Sequence, residues 1–177
     1  GNVGMIIIFL LTNIGINIEA TTSRLKNSII LKKMGVKKVH ILKNFLKTPN
    51  FALLNEKYST IFDNLGGEVI PVSLKYLIKK GALVSIGNVL GNSSNINILP
   101  LILREVNILS VNAECTSQNE RQNIIKNFKS TKLKKQLLSK TKVITLKEVS
   151  KIFKQKNYHN KNLRYVIKIW SNLNDNL

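Results

Sequence analysis

The sequence predicts an α/β protein built on a doubly wound parallel sheet whose first strand is missing. Three observations predict it. Helical and extended segments alternate with short connections along most of the 177 residues, the order that right-handed crossovers turn into a parallel sheet. Gly81-Ala82-Leu83-Val84-Ser85-Ile86-Gly87 is a continuous apolar run of strand length, the pattern of a strand covered on both faces. The chain opens with Gly1-Asn2-Val3-Gly4 and then Met5-Ile6-Ile7-Ile8-Phe9-Leu10-Leu11, a glycine turn running into a helix with no strand ahead of it.

Taken in order, residues 4–13 form a helix with Gly15 as its stop, and Ile16-Asn17-Ile18-Glu19-Ala20-Thr21-Thr22 alternates as a strand does. Ser23 caps the next helix, 24–34. Leu25, Ile29, Ile30 and Met34 recur there at helical spacing, Lys32 and Lys33 load the last turn, and Gly35 ends it. Residues 36–42 are a short strand. After an irregular stretch with Pro49, residues 58–64 form a strand closed by the turn Leu65-Gly66-Gly67. A helix over 69–80, interrupted near its start by Pro71, leads to the apolar strand 81–87. A helix over 98–105 and a strand over 106–113 repeat the alternation.

Residues 117–128 are a charged amphipathic helix. A second, 146–156, is opened by Thr145 with Glu148 at capping-box spacing. The last strand runs over 163–170. No repeat or low-complexity linker divides the chain, so it reads as a domain over 1–142 with a C-terminal return segment over 143–177.

The net charge of +19 and pI near 10.2 would ordinarily raise nucleic acid or an anionic membrane as partners. Here the lysines are dispersed, at Lys32-Lys33, Lys37-Lys38, Lys79-Lys80, Lys134-Lys135 and Lys161, and they accompany many Asn and Ile residues. All three have A/T-rich codons, so a genomic nucleotide bias is the simpler cause than a basic binding face. A basic protein associated with nucleic acid, and a non-functional fragment of a degraded gene, stay open as other readings.

Cys115 is alone, which excludes a disulfide framework, and no C-x-x-C pair or His cluster has zinc-site spacing. A cytoplasmic setting fits. Thr12, Asn13, Gly15 and Asn17 break the first apolar stretch well short of the ~20 residues that cross a bilayer. The first basic residue is Arg24, so no positive segment precedes that stretch as in a signal peptide.

Gly1-Asn2-Val3-Gly4 has the form of a turn that brings backbone N–H groups against a pyrophosphate, with the next helix presenting its positive end to the same charge. The same residues could equally be a terminus ahead of a buried helix. At the end of the second strand of such a unit a carboxylate usually meets the adenine ribose, and small polar and cationic residues replace it where a 2′-phosphate is preferred. Thr22-Ser23-Arg24 is the second pattern, although it would also serve as a plain helix cap. Glu19 lies too early on the strand to reach the ribose. In Ser85-Ile86-Gly87-Asn88 an apolar strand runs out into glycine at the carboxyl edge, where ligands lie in this fold. Asp63, His40 and His159 have no partner at catalytic spacing, and no nucleophile stands out.

These segments, with Ile61-Phe62-Asp63-Asn64-Leu65-Gly66 and above all Leu99-Pro100-Leu101-Ile102-Leu103-Arg104-Glu105-Val106 and Ser110-Val111-Asn112, resemble the C-terminal part of a zinc-independent medium-chain dehydrogenase/reductase. The nearest branch is the quinone oxidoreductase-like one that includes acrylyl-CoA reductase. The resemblance spans essentially the whole chain. It implies a Rossmann-like domain without the N-terminal GroES-like domain, and an NADPH-dependent reductase acting on an activated carbon–carbon double bond. It further implies an acyl-CoA- or quinone-like small-molecule substrate, a homodimer in the full-length family, and neither a specific nucleic acid nor a membrane as partner. Gly1, Val3 and Gly4 would line the pyrophosphate, Thr22, Ser23 and Arg24 the 2′-phosphate, and Gly87 and Asn88 the nicotinamide side, with Asn2 and Asn64 also among the cofactor-binding residues. Asn2 and Leu163 stand where the family usually has glycine.

Overall fold

The computed structural model describes residues 1–127, 141–154 and 164–169. It divides into two compact units, Val3–Thr116, and a second that takes in Gly1–Asn2 and the chain from Ser117 onward.

In the first unit, helix α1 (Asn2–Asn13) buries Ile8 and Phe9. It stops where the sequence predicts. Gly15 is left-handed, with φ 79°, and the Gly15 and Ile16 N–H groups turn back to the carbonyls of Thr12 and Leu11 at 3.1 and 3.0 Å, satisfying acceptors that the helix end leaves open. Helix α2 (Asn27–Lys33) ends on the same pattern, with the Gly35 and Val36 N–H groups donating to Lys32 and Leu31. Strands β1 (Glu19–Thr22) and β2 (Lys38–Ile41) pair in parallel, Glu19 opposite Lys38 and Thr22 opposite Ile41. Helix α3 (Leu42–Leu46) follows β2 directly, inside a stretch that the sequence reading leaves irregular.

A second sheet holds β3 (Tyr58–Asp63), β4 (Leu77–Ser85) and β5 (Asn107–Ser110) in the order β3-β4-β5, again all parallel. Helices α4 (Val69–Leu74) and α5 (Leu99–Arg104) pack on β4. The core gathers Leu74, Leu77, Leu83 and Val106, with Tyr58, Ile61, Ile70, Ile96 and Leu101 against it.

The helix expected over 69–80 stops at Leu74, because Leu77 enters the core fully buried and pairs with Tyr58 on β3. Burial of that side chain overrides the helical propensity of the Leu-Lys-Tyr-Leu-Ile-Lys-Lys stretch. The strand then changes register between Tyr58 and Thr60, and Lys80 takes a left-handed backbone, φ 61°.

The two sheets of this unit are separate. β1 pairs with β2 and β3 pairs with β4, and among the described residues no strand pairs with the other edge of β1 or of β3. This is the interruption expected of a doubly wound sheet in which the strand between its second and fourth members is absent.

In the second unit, α6 (Gln118–Asn127) opens with a reciprocal cap. The Ser117 N–H donates to the Glu120 carboxylate at 2.8 Å and the Glu120 N–H to the Ser117 hydroxyl at 3.2 Å. Strands β6 (Thr141–Thr145) and β7 (Arg164–Lys168) form a parallel pair joined through α7 (Leu146–Lys154). The Glu148 carboxylate reaches back to both the N–H and the hydroxyl of Thr145, at 2.7 and 2.9 Å. Strand β6 is not foreshadowed in the sequence reading, because Thr141-Lys142-Val143-Ile144-Thr145 is short and only Ile144 is buried. Expectations involving Phe128, Lys134, Lys135, Lys156, His159, Lys161, Leu163 and Trp170 lie outside the described residues.

Candidate cofactor-binding edge

Because the strands of each sheet are parallel, the residues that follow them emerge at one edge. Thr22-Ser23-Arg24 follows β1, Asn64-Leu65-Gly66-Gly67 follows β3, and Ile86 to Gly91 follows β4. The starts of β1 and β3 are together as well. The carboxylate of Glu19 accepts the Tyr58 hydroxyl at 2.8 Å, the Lys57 ammonium at 2.7 Å and His40 Nε2 at 2.6 Å. Glu19 thus belongs to the amino edge, away from the turn Thr22-Ser23-Arg24.

That cluster corrects one expectation. His40 does have a carboxylate partner at hydrogen-bond distance, but one on the opposite edge from the strand-end glycines. Burial pushes the Glu19 carboxyl up, yet the hydrogen bonds from Lys57, His40 and Tyr58 and the Lys57 charge outweigh it and hold its pKa at about 2 against an ordinary 4.5. Tyr58 is raised by its burial and by the neighbouring carboxylate.

At the carboxyl edge, Gly4, Asn64 and Gly87 come together. A Cβ at Gly4 would stand 3.9 Å from Asn64 Nδ2, and one at Gly87 would stand 2.7 Å from the Asn64 carbonyl oxygen. Only glycine lets the β4 loop lie this close to the β3 loop. Gly1 and Val3 are exposed at the opening of α1, and Asn2 and Gly4 are half-buried. Around Gly1 a Cβ would meet nothing within 4 Å among the described residues. The first N–H groups of a helix have no acceptor inside it. Helix N-terminal N–H groups of this kind can receive an anion.

Thr22, Ser23 and Arg24 form a separate turn. The cap expected from Ser23 is not made, since α2 starts after Lys26 without a side-chain cap; Thr22 instead closes the turn, its Oγ1 accepting from the Arg24 N–H at 3.3 Å and from Asn27 Nδ2 at 3.2 Å. Ser23 and Arg24 are exposed. Helix α2 accordingly begins at Asn27 rather than at Arg24. Asn88 is exposed, its Nδ2 donating to Asn92 Oδ1 at 2.6 Å.

Two residues matter more than their sequence signals suggest. Asp63, to which the sequence gives no partner at catalytic spacing, is 2% exposed and its carboxylate accepts the N–H groups of Leu65 and Gly66 at 2.8 and 3.0 Å. Arg104 anchors α5, donating Nη1 to the carbonyls of Lys75 and Leu77 at 3.0 Å each and Nη2 to that of Leu54 at 2.6 Å. An arginine at the end of the Leu-Pro-Leu-Ile-Leu-Arg helix was legible; its carbonyl partners, far off in sequence, were not. Among the described residues no three His, Cys, Asp or Glu side chains converge as a metal site would require, and no helix is long and apolar enough to cross a membrane.

A family model described as zinc-binding dehydrogenase matches residues 2–130. The chain belongs to the zinc-binding dehydrogenase family. The sequence has no match among curated proteins. Among solved structures, the fold of this family member is similar to the YhdH oxidoreductase of Salmonella enterica in complex with NADP, with TM-score 0.76 and 20% identity over 95% of this chain and 51% of that one. It is similar to YhdH of E. coli K-12 with bound NADPH, with TM-score 0.75 and 20% identity over 95% of this chain and 51% of that one. Bacillus subtilis YhfP with NAD bound gives TM-score 0.78 and 21% identity over 94% and 50%. The chain spans about half the length of each of these proteins.

Proposed function

We propose that this member of the zinc-binding dehydrogenase family is the cofactor-binding half of an NADPH-dependent medium-chain reductase. The observation that carries the reading is the turn after β1. It offers Ser23 and Arg24 exposed, while Glu19, the acid on that strand, is held at the other end by His40, Lys57 and Tyr58. A ribose 2′-phosphate gains from a guanidinium and loses from a carboxylate, so this end favours NADPH. The NADP- and NADPH-bound YhdH structures, similar in fold, support the same choice.

In this reading Gly1, Asn2, Val3 and Gly4 receive the pyrophosphate on free backbone N–H groups. Thr22 shapes the turn from which Ser23 and Arg24 meet the 2′-phosphate. Asn64, Gly87 and Asn88 form the wall on the nicotinamide side. The cofactor, when bound, supplies the hydride, and the residues of this chain hold and orient it. The acceptor is an activated carbon–carbon double bond of acrylyl-CoA or quinone type, reduced without zinc, as the resemblance to that branch implies.

A homodimer fits the β5 edge of the second sheet, with which no strand pairs among the described residues. All four residues of β5 are exposed, Ile108 and Leu109 among them, and Asn107-Ile108-Leu109-Ser110 carries no charge that would discourage pairing. Calorimetric titration of the full-length protein with NADPH and NADH tests the cofactor reading. Tighter binding of NADPH is expected; equal affinities overturn it.

A further inference from the structure

We infer that Asp63 is the positioning residue that sets the nicotinamide-side wall, by clasping the loops after β3 and β4 into one body; the inference rests on the NADPH reading. Asp63 is the last residue of β3, and its position lets it hold four N–H groups. Its two carboxylate oxygens take those of Leu65 and Gly66 in its own loop. Its main-chain carbonyl takes those of Ile86 and Gly87 in the neighbouring loop, at 2.8 and 3.3 Å. One residue therefore fixes where both loops begin.

Beyond Asp63 the loops lie backbone against backbone. The Leu65 carbonyl accepts the Leu90 N–H at 2.7 Å, Gly66 and Gly91 form a parallel bridge, and the Ser94 hydroxyl donates to the Gly67 carbonyl. A Cβ at Gly66, which is left-handed, would stand 2.6 Å from the Gly91 oxygen and 3.0 Å from the Asn88 Cα. No side chain cushions the contact, so a shift in one loop is passed to the other. Asn64, Gly87 and Asn88 consequently keep one mutual geometry, and Asp63 dictates it without itself touching the cofactor.

The chemistry of the clasp requires a carboxylate. Both oxygens face N–H donors, and an asparagine would turn an NH2 group toward one of them, leaving a buried donor unpaired. The Thr22-Ser23-Arg24 turn shares none of these bonds. Loss of the clasp should therefore weaken contacts to the nicotinamide half of the cofactor and spare those to the 2′-phosphate half.

The test uses the full-length protein and two probes, NADPH and adenosine 2′,5′-bisphosphate, which carries the 2′-phosphate end alone. In Asp63→Asn, NADPH affinity should fall roughly tenfold while bisphosphate affinity stays within about twofold. The fluorescence of bound NADPH should shift toward that of the free cofactor. Leu83→Ala, a core substitution outside the clasp, should lower the melting temperature and leave the ratio of the two affinities unchanged. If Asp63→Asn does not fold, Ser94→Ala, which removes one stitch of the same clasp, must lower the ratio in the same direction. Equal losses for both probes, or no loss for either, overturn the inference alone. A parent protein that binds neither probe overturns the NADPH reading, and the inference falls with it.

Discussion

The hydroxyl of Tyr58, first residue of β3, donates to the carboxylate of Glu19, first residue of β1, at 2.8 Å. Between these two strands there is no backbone pairing, so a side-chain cluster of Glu19, Tyr58, Lys57 and His40 ties the two sheets at their amino edge. The position is significant for function. In the proposed NADPH reading, a carboxylate at this edge lies away from the strand end where it would repel a 2′-phosphate, and the exposed Arg24 is the charged group of that turn.

This cluster should make stability depend on acid. The folded Glu19 carboxyl, at about 2, lies below its ordinary 4.5. Its stabilisation is therefore complete above pH 4.5 and is lost as pH falls toward 2. Partial exposure screens the pair, so the contribution is about 1–2 kcal/mol. Urea unfolding of the full-length protein across this range should give a pH slope that Glu19→Gln flattens. An identical slope in the variant would show that the cluster contributes nothing.

Arg24→Ala should remove most of the preference for NADPH over NADH, since an exposed guanidinium paired with a phosphate contributes about 1.5–3 kcal/mol. NADH affinity should barely change. Calorimetry with both cofactors separates this from a general loss of binding, which would lower the two together.

How much of this was legible in the sequence depended on whether a residue's partner lay close to it in the chain. The stops at Gly15 and Gly35 were readable because the acceptors are three to five residues back. The reading of Glu19 as misplaced for the ribose needed only strand counting. Arg104 and Asp63 were harder. Arg104 pairs with carbonyls at Leu54, Lys75 and Leu77, and a backbone acceptor leaves no mark in the residue that bears it. The start of β4 was misread for a related reason. Local propensity favoured a helix through Lys80, and only the tertiary burial of Leu77 decided otherwise.

Arg104→Ala should destabilise the protein by about 2–4 kcal/mol, because the carbonyls of Lys75, Leu77 and Leu54 lose the guanidinium donor, while that of Lys75 keeps a second one, the Leu54 N–H at 3.0 Å. Arg104→Lys should recover little, since one ammonium cannot reproduce the fork. Equilibrium unfolding measures both. A loss under 1 kcal/mol in the alanine variant would mean that water replaces the guanidinium without cost.

The facing edges of β1 and β3 carry the last expectation. Among the described residues each strand is paired on one side only, and Thr21, Thr60 and Phe62 along them are exposed, whereas inner strands of a doubly wound sheet are covered on both faces. Unpaired N–H and C=O groups beside exposed apolar surface recruit strands from other chains. Residues 1–177 expressed by themselves should therefore associate, bind a hydrophobic dye, unfold without a sharp transition and lack reductase activity. Thr60→Lys, which puts a charge on the open strand, should reduce the association without restoring activity, because it blocks the edge and does not complete the sheet. Light scattering, dye fluorescence and calorimetric melting read these outcomes. A monomer with a sharp thermal transition and NADPH-dependent turnover from residues 1–177 alone would show that the side-chain cluster at Glu19 is enough to hold the two sheets as one working domain.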